Sequence, residues 1–165
     1  MWMKEVEKSQ EFLPNVASIG TQVEATERNR SVLVDWQILL HMSLRLSAET
    51  LFIAVNILDR FLTLHQVTRH RIQLVGVTAL HIACKYQEIH PPPVQDFVQS
   101  TRNAYTHAEV LACEAVMLQA LQFNLTFPTS LSFLETYISV EALRATDLPT
   151  ELFTNMLLDL SLTDL

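Results

Sequence analysis

The two glycines, Gly20 and Gly76, constrain the fold of this 165-residue chain more than any other feature. They are too few to supply the tight turns on which strand-rich folds depend. The apolar residues recur three and four positions apart, which is the spacing of a helix face rather than of a strand. The sequence therefore predicts an all-α fold with short connections between the helices.

The charge balance argues against a nucleic-acid partner. Eleven basic against 18 acidic residues give a net charge of −7, and no basic stripe is present. Because phosphate neutralisation requires clustered Lys and Arg, we predict no nucleic-acid partner. The longest apolar run, 72–84, is too short to span a bilayer, and residues 1–10 lack the apolar stretch of a secretory signal. We therefore predict no membrane partner.

Prolines and capping residues divide the chain into helices. Pro14 ends a short amphipathic helix at 1–13, and a polar lead-in follows to residue 28. Ser47 is the predicted N-cap of a helix at Ala48–Leu64, and Thr106 with Glu109 forms a capping box. The other predicted helices lie at 30–46, at 68–88 before three prolines, at 94–99, at 106–121 and in two segments after residue 128. The helix at 30–46 is apolar nearly all round, so we expect it to be central.

Sequence motifs for catalysis or metal binding are absent. With two glycines the chain has neither a phosphate-binding loop nor a dinucleotide fingerprint. His81 and Cys84 lie one turn apart, but no second pair is spaced to complete a zinc site, so we expect the two side chains to be buried and packed instead. We predict a protein that is not an enzyme and that has no catalytic residue, no metal and no cofactor.

Asp35 and Arg60 are charges inside apolar helices, next to Trp36 and Phe61. Burying either charge is costly unless it is paired. Each side chain extending outward to solvent is the simpler interpretation. We favour an internal brace in which Asp35 pairs with Arg60.

A candidate surface for a partner helix combines two helix faces. Ile82, Lys85 and Tyr86 share one face of the third predicted helix, and Glu114 and Leu118 share one face of the fifth. Such a surface is apolar with one positive and one negative end, which suits a docking helix. The alternative is that Lys85 and Glu114 are ordinary surface charges.

Three consecutive segments resemble the cyclin box, most closely that of mitotic A- and B-type cyclins. They read RSVLVDWQILLHMSLRLSAETLFIAVNILDRFL from residue 30, RIQLVGVTALHIACKYQEIHPPPVQDFV from residue 71, and NAYTHAEVLACEAVMLQALQFNLTFPTSLSFL from residue 103. The resemblance implies an N-terminal helix and lead-in at 1–28, a five-helix box at 29–127 whose third helix is central, and a truncated second box at 128–165.

The resemblance also implies a function and a binding site. Cyclins bind and activate cyclin-dependent serine/threonine kinases by docking the C-helix of the kinase. The positions that match the kinase-binding residues of the family are Ile82, Lys85, Tyr86, Glu114, Leu118, Phe123 and Leu125. A buried Asp–Arg pair of the family matches Asp35 and Arg60. The expected location is the nucleus and cytoplasm, where Cys84 and Cys113 would stay reduced.

A substrate-docking patch of the family is matched in part. The matching positions are Val32, Leu33, Trp36, Ile72 and Gln73. Asn29 stands where A-type cyclins have methionine, and Leu39 stands where they have an acidic residue. The apolar floor is therefore expected without the charge that favours basic docking peptides of kinase substrates or inhibitors.

Two functions remain open on the sequence. The first is a regulatory subunit that binds and activates a cyclin-dependent kinase in cell-cycle control. The second is a binding module or scaffold with the same fold, which binds a kinase or another protein without activating it.

Overall fold

Five complete α-helices lie in the described part of the chain, and residues 130–133 are also helical. A computed structural model describes Gln22 and residues 24–133 and 161–162. The helices are α1 (Glu27–Leu44), α2 (Ala48–Leu64), α3 (Ile72–Gln87), α4 (Val94–Ser100) and α5 (His107–Ala120). The all-α prediction is confirmed for these residues. The predicted helix at 1–13 and most of the predicted second box lie outside them.

Helix α3 is the centre of the fold. Every residue from 74 to 84 is buried, and α3 packs against α1, α2, α4 and α5. The expectation that the helix at 30–46 is central is wrong. Helix α1 exposes 63–66% of the surface of Val32, Leu39 and Met42. These side chains made α1 look apolar all round, but they form its outer face.

Gly76 allows α1 and α3 to approach closely. A Cβ atom at this position would lie 2.7 Å from Cδ1 of Leu33 on α1, which is closer than packed carbon atoms come. Gln37 of α1 is fully buried, and its Nε2 donates a hydrogen bond to the Gly76 carbonyl at 2.9 Å. A small residue and one buried amide therefore fix how α1 crosses α3.

The ends of α1 and α5 follow local capping rules. Thr26 accepts a hydrogen bond from the Asn29 amide, so α1 begins three residues before the predicted start, and Arg45 ends α1 with a left-handed φ of 55°. The predicted capping box of Thr106 and Glu109 is present at the start of α5. Each cap satisfies backbone groups that a helix end leaves without a partner.

Helix α2 has the predicted bounds, but its N-terminus is capped from a distance. Ser47 occupies the N-cap position without making a side-chain cap bond. Glu88, just after α3, instead accepts hydrogen bonds from the Ser47 amide at 2.7 Å and from the Thr50 hydroxyl at 2.6 Å. One carboxylate therefore ties the start of α2 to the end of α3.

The buried brace joins Arg30 and Asp59 rather than Asp35 and Arg60. Arg30 donates from Nε to Oδ1 of Asp59 at 2.6 Å and from its NH2 group to Oδ2 at 2.7 Å, and both residues are about 95% buried. The predicted pairing is wrong because Asp35 lies on the exposed face of α1. Arg60 is buried and donates to the Asn124 carbonyl at 2.8 Å.

Burial raises the pKa of Asp59, and the hydrogen bonds and charge of Arg30 oppose that rise. The two-point geometry of the hydrogen bonds from Arg30 favours the ionised carboxylate. The pair links the first turns of α1 to the last turns of α2.

None of the helices in the described ranges is long and apolar enough to cross a membrane.

Candidate functional site

Lys85 and Glu114 meet at the junction of α3 and α5. Lys85 Nζ donates to Glu114 Oε1 at 2.5 Å. The two side chains differ in burial: 9% of Glu114 is exposed, against 49% of Lys85. A buried carboxylate therefore anchors an ammonium group that faces solvent. An ordinary surface charge would not have such an anchor.

Tyr86 connects the end of α3 to the segment that follows α5. Its hydroxyl lies 2.7 Å from the hydroxyl of Thr126. Phe123 turns the chain after α5, because its amide donates to the Leu118 carbonyl at 2.9 Å while its own φ is 57°. A left-handed conformation is uncommon for a bulky residue, and it leaves the Phe123 ring 71% exposed.

The structure brings most of the predicted kinase-binding residues to one side of the molecule. We call Lys85, Tyr86, Glu114, Leu118, Phe123 and Leu125 the α3–α5 surface. Leu118 and Leu125 are partly buried and pack against the core. Ile82 is different, because it is 2% exposed and lies in the core beneath this surface.

Sequence reasoning missed two apolar residues of this region. Leu111 lies one turn before Glu114 on α5 and is 41% exposed. Ile89 follows the C-cap of α3 and is 90% exposed. Neither belongs to a polar pattern that would have drawn attention to it. Large exposed apolar side chains beside a charged pair are typical of a protein-binding surface.

Among the described residues, Lys85 offers groups that suit protein binding. No group of three or more His, Cys, Asp or Glu side chains in the described ranges is arranged to hold a metal ion. Burial raises the pKa of the Cys84 thiol to about 12, so Cys84 is a protonated core residue at neutral pH. Lys85 offers ammonium donors that suit backbone carbonyl groups of a partner, and the buried Glu114 holds that ammonium group in place.

A concave surface lies between α1, the residues before it and the start of α3. It has a volume of about 1070 Å³, and we call it the α1 groove. All five predicted docking residues line it: Val32, Leu33, Trp36, Ile72 and Gln73. Asn29, which the resemblance places in the same patch, also lines it. Sequence reasoning did not identify the other lining residues, Glu24, Thr26, Arg28, Arg69 and His70.

The rim of the α1 groove is more basic than acidic. Arg28 and Arg69 are exposed there, against a single acidic residue, Glu24, which accepts a hydrogen bond from the Arg69 amide at 2.9 Å. Leu39 is 66% exposed but does not line the groove. The groove therefore has an apolar floor and a local charge opposite to the net charge of the chain.

The family follows from comparison with known proteins. The family model for the cyclin N-terminal domain matches residues 1–126. The chain belongs to the cyclin family. The match includes all five described helices, so the α3–α5 surface and the α1 groove both lie within a cyclin N-terminal domain.

Mitotic and B-type cyclins are among the relatives of this cyclin. It is 48% identical over 120 residues to the G2/mitotic-specific cyclin S13-6 of Glycine max, covering 73% of this chain and 26% of that protein. It is 40% identical over 146 residues to Cyclin-B2-2 of Arabidopsis thaliana, covering 88% and 33%. It is 49% identical over 111 residues to G2/mitotic-specific cyclin-B2 of Oryzias latipes, covering 67% and 29%. The chain thus spans about a quarter to a third of these relatives.

The fold agrees with a solved cyclin structure. The X-ray structure of a viral cyclin from herpesvirus saimiri superposes with a TM-score of 0.74 at 24% sequence identity, covering 84% of this cyclin and 61% of that chain. At this identity the likeness shows the fold. It supports the assignment of α1 to α5 as the helices of a cyclin box.

Proposed function

We propose that this cyclin is a regulatory subunit that binds and activates a cyclin-dependent serine/threonine kinase in cell-cycle control. The observation that carries the proposal is the anchored ion pair of Lys85 and Glu114. It lies among exposed and partly buried apolar side chains on the α3–α5 surface. The relatives of this chain that are named as mitotic cyclins support a cyclin-dependent kinase as the partner.

The geometry suits docking of the C-helix of the kinase. Lys85 Nζ has three N–H donors, and Glu114 occupies one of them, so the others are available to carbonyl groups of the kinase backbone. The exposed rings of Tyr86 and Phe123 offer apolar contact to the helix itself. A C-helix held in this way places its glutamate against the catalytic lysine of the kinase, which is the arrangement required for phosphoryl transfer.

Binding and activation are tested separately. Purified kinase is titrated with the chain to measure affinity, and phosphate transfer to a histone-type substrate is then measured at saturation. Lys85→Ala and Glu114→Ala are each expected to weaken binding by about tenfold or more, since each leaves a charge without its partner. Asp35→Ala, an exposed charge on α1, is the matched control. Binding without phosphate transfer would favour the non-activating module or scaffold over the regulatory subunit.

We further propose that the α1 groove docks short segments of kinase substrates or inhibitors. An apolar side chain of the segment would contact Val32 and Trp36, and an acidic residue would face Arg28 and Arg69. This charge preference is opposite to that expected for basic docking peptides. Opposite charges across an interface favour the matching partner mainly through specificity and association rate.

Peptide binding tests the charge preference of the groove. Fluorescence polarisation is measured with two peptides that share one apolar core and carry either acidic or basic flanks. The acidic peptide is expected to bind more tightly, less so at high salt, and the preference should reverse in the Arg28→Glu, Arg69→Glu double variant. A basic preference in the unmodified chain would contradict the proposal. Trp36→Ala should weaken both peptides.

For the cellular location we propose the nucleus and cytoplasm. Cys84 and Cys113 are both free thiols, which is typical of proteins in reducing compartments. Imaging of a fluorescent fusion tests this directly, and retention in a secretory organelle would contradict it.

A further inference from the structure

His81 is a buried polar residue that lies outside the α3–α5 surface as defined above. It lies on α3 one turn before Lys85 and is 5% exposed. Its ring meets Phe97 of α4 edge-on, with centroids 5.0 Å apart. Its Nδ1 atom is buried without a hydrogen-bond partner among the described residues. An unpaired polar atom in a core costs free energy. Any polar contact of the ring is therefore made by its second nitrogen, Nε2.

That second nitrogen faces the anchoring carboxylate of the α3–α5 surface. His81 Nε2 lies 3.9 Å from Glu114 Oε2, while Oε1 of the same carboxylate accepts the hydrogen bond from Lys85. Residues four apart on a helix share a face, so His81 and Lys85 both reach Glu114 from α3. The carboxylate lies between a buried imidazole on one side and an ammonium group on the other.

The surroundings favour one protonation state of the ring. Burial lowers the pKa of His81, the Glu114 charge raises it, and the Lys85 and His107 charges lower it, with a net decrease. His81 is therefore neutral at neutral pH, with a proton on one nitrogen only. A proton on Nδ1 would bury a donor without an acceptor and turn a lone pair toward the carboxylate. A proton on Nε2 points the N–H toward Glu114 instead.

We infer that His81 is a positioning residue, whose Nε2–H group holds the Glu114 carboxylate in the orientation that anchors Lys85 at the kinase-docking surface. The effect on kinase binding rests on the proposed function. The contact between His81 and Glu114 rests on the geometry alone. At 3.9 Å the attraction is electrostatic rather than a full hydrogen bond. It acts in a buried setting where such a dipole is weakly screened.

Two substitutions separate positioning from packing. His81→Phe keeps an aromatic ring against Phe97 but removes the donor, and we expect it to weaken kinase binding by about fivefold, a modest loss for one charge–dipole contact. His81→Gln restores an N–H donor near the position of Nε2, and we expect it to recover most of the affinity. In a Glu114→Gln background, His81→Phe should have no further effect, because residues that act through one contact are not additive.

The decisive readout requires no kinase. Nitrogen-15 NMR of the imidazole in the unmodified chain at neutral pH is expected to show the proton on Nε2. A proton on Nδ1, or full exchange between the two tautomers, would overturn the contact even if kinase binding is strong. Equal affinities of His81→Phe and the unmodified chain, or equal losses in His81→Phe and His81→Gln, would overturn the positioning role. If the unmodified chain binds no kinase, the proposed function fails, whereas the NMR result still decides the contact.

Discussion

Removing Asp59 tests the buried brace that links α1 to α2. Asp59→Ala deletes both acceptors of a two-point pair whose distances are 2.6 and 2.7 Å. Arg30 would keep a hydrogen bond from its NH1 group to the Leu162 carbonyl at 3.1 Å, but its buried guanidinium would lose both hydrogen bonds to the Asp59 carboxylate. The variant therefore measures the cost of removing the Asp59 carboxylate from a buried guanidinium, rather than the net worth of the pair.

The expected loss is large on the scale of a domain. Breaking a buried ion pair by removing one partner lowers the free energy of unfolding by about 3–5 kcal/mol. The total for a domain is about 5–15 kcal/mol, so Asp59→Ala removes a large fraction of it. With a urea dependence of about 2 kcal/mol per molar, the unfolding midpoint should fall by about 2 M.

Urea denaturation followed by circular dichroism measures this loss. Asp35→Ala is the matched control, because this carboxylate is exposed, and its effect should stay within about 0.5 kcal/mol. Replacing both partners, Arg30→Met with Asp59→Leu, should recover most of the lost stability, since both charges of the pair are then removed. The reasoning is refuted if Asp59→Ala shifts the midpoint no more than Asp35→Ala does.

Three further variants test the packing and capping described above. Gly76→Ala places a Cβ atom 2.7 Å from Leu33 and should cost about 1–3 kcal/mol in thermal unfolding; an unchanged melting temperature would contradict the close approach. Thr106→Ala removes the α5 cap and should cost about 1 kcal/mol, whereas Thr106→Ser should be nearly neutral. Burial raises the pKa of Glu88, but hydrogen bonds from Thr50 and Ser47 outweigh it and lower the pKa below 4.5. Ionised Glu88 therefore stabilises the fold above pH 4.5, and the deficit of Glu88→Gln should shrink as the pH falls through the folded-state pKa; a deficit independent of pH would contradict this role.

Local signals explain which elements were predicted well. The bounds of Ala48–Leu64 were predicted correctly, because Ser47 marks the start and the polar residues after Leu64 mark the end. The capping box of Thr106 likewise places the start of α5. Such signals depend on neighbouring residues alone, so a single sequence contains them.

The rotation of the helices relative to one another explains two errors, the predicted pair of Asp35 with Arg60 and the predicted central position of α1. Asp59 and Arg60 are adjacent but point about 100° apart on α2, and only the rotation of α1 against α2 decides which of them is paired. The apolar residues around α1 gave no indication of that rotation. Arg30 was not considered as a partner, although it is 3% exposed. The same ambiguity made α1 look central.

The sequence predicted which residues belong to the candidate site, but not how deeply each of them is buried. Helical spacing and resemblance nominated Lys85 and Glu114, and the structure joins them. Ile82 was expected at the partner-facing surface, but the structure places it in the core beneath. The burial of His81 was expected and is confirmed, but its proximity to Glu114 could not be predicted, because it depends on how α3 and α5 pack.

The affinity of the purified chain for a cyclin-dependent kinase tests the central claim most directly. Isothermal titration calorimetry is performed with the unmodified chain, Lys85→Ala, Glu114→Ala and the control Asp35→Ala. We predict one-to-one binding that both site variants weaken by about tenfold or more and that the control leaves unchanged. Binding that all four chains share equally, or no binding by a correctly folded unmodified chain, would contradict the assignment of the α3–α5 surface as the kinase-docking site.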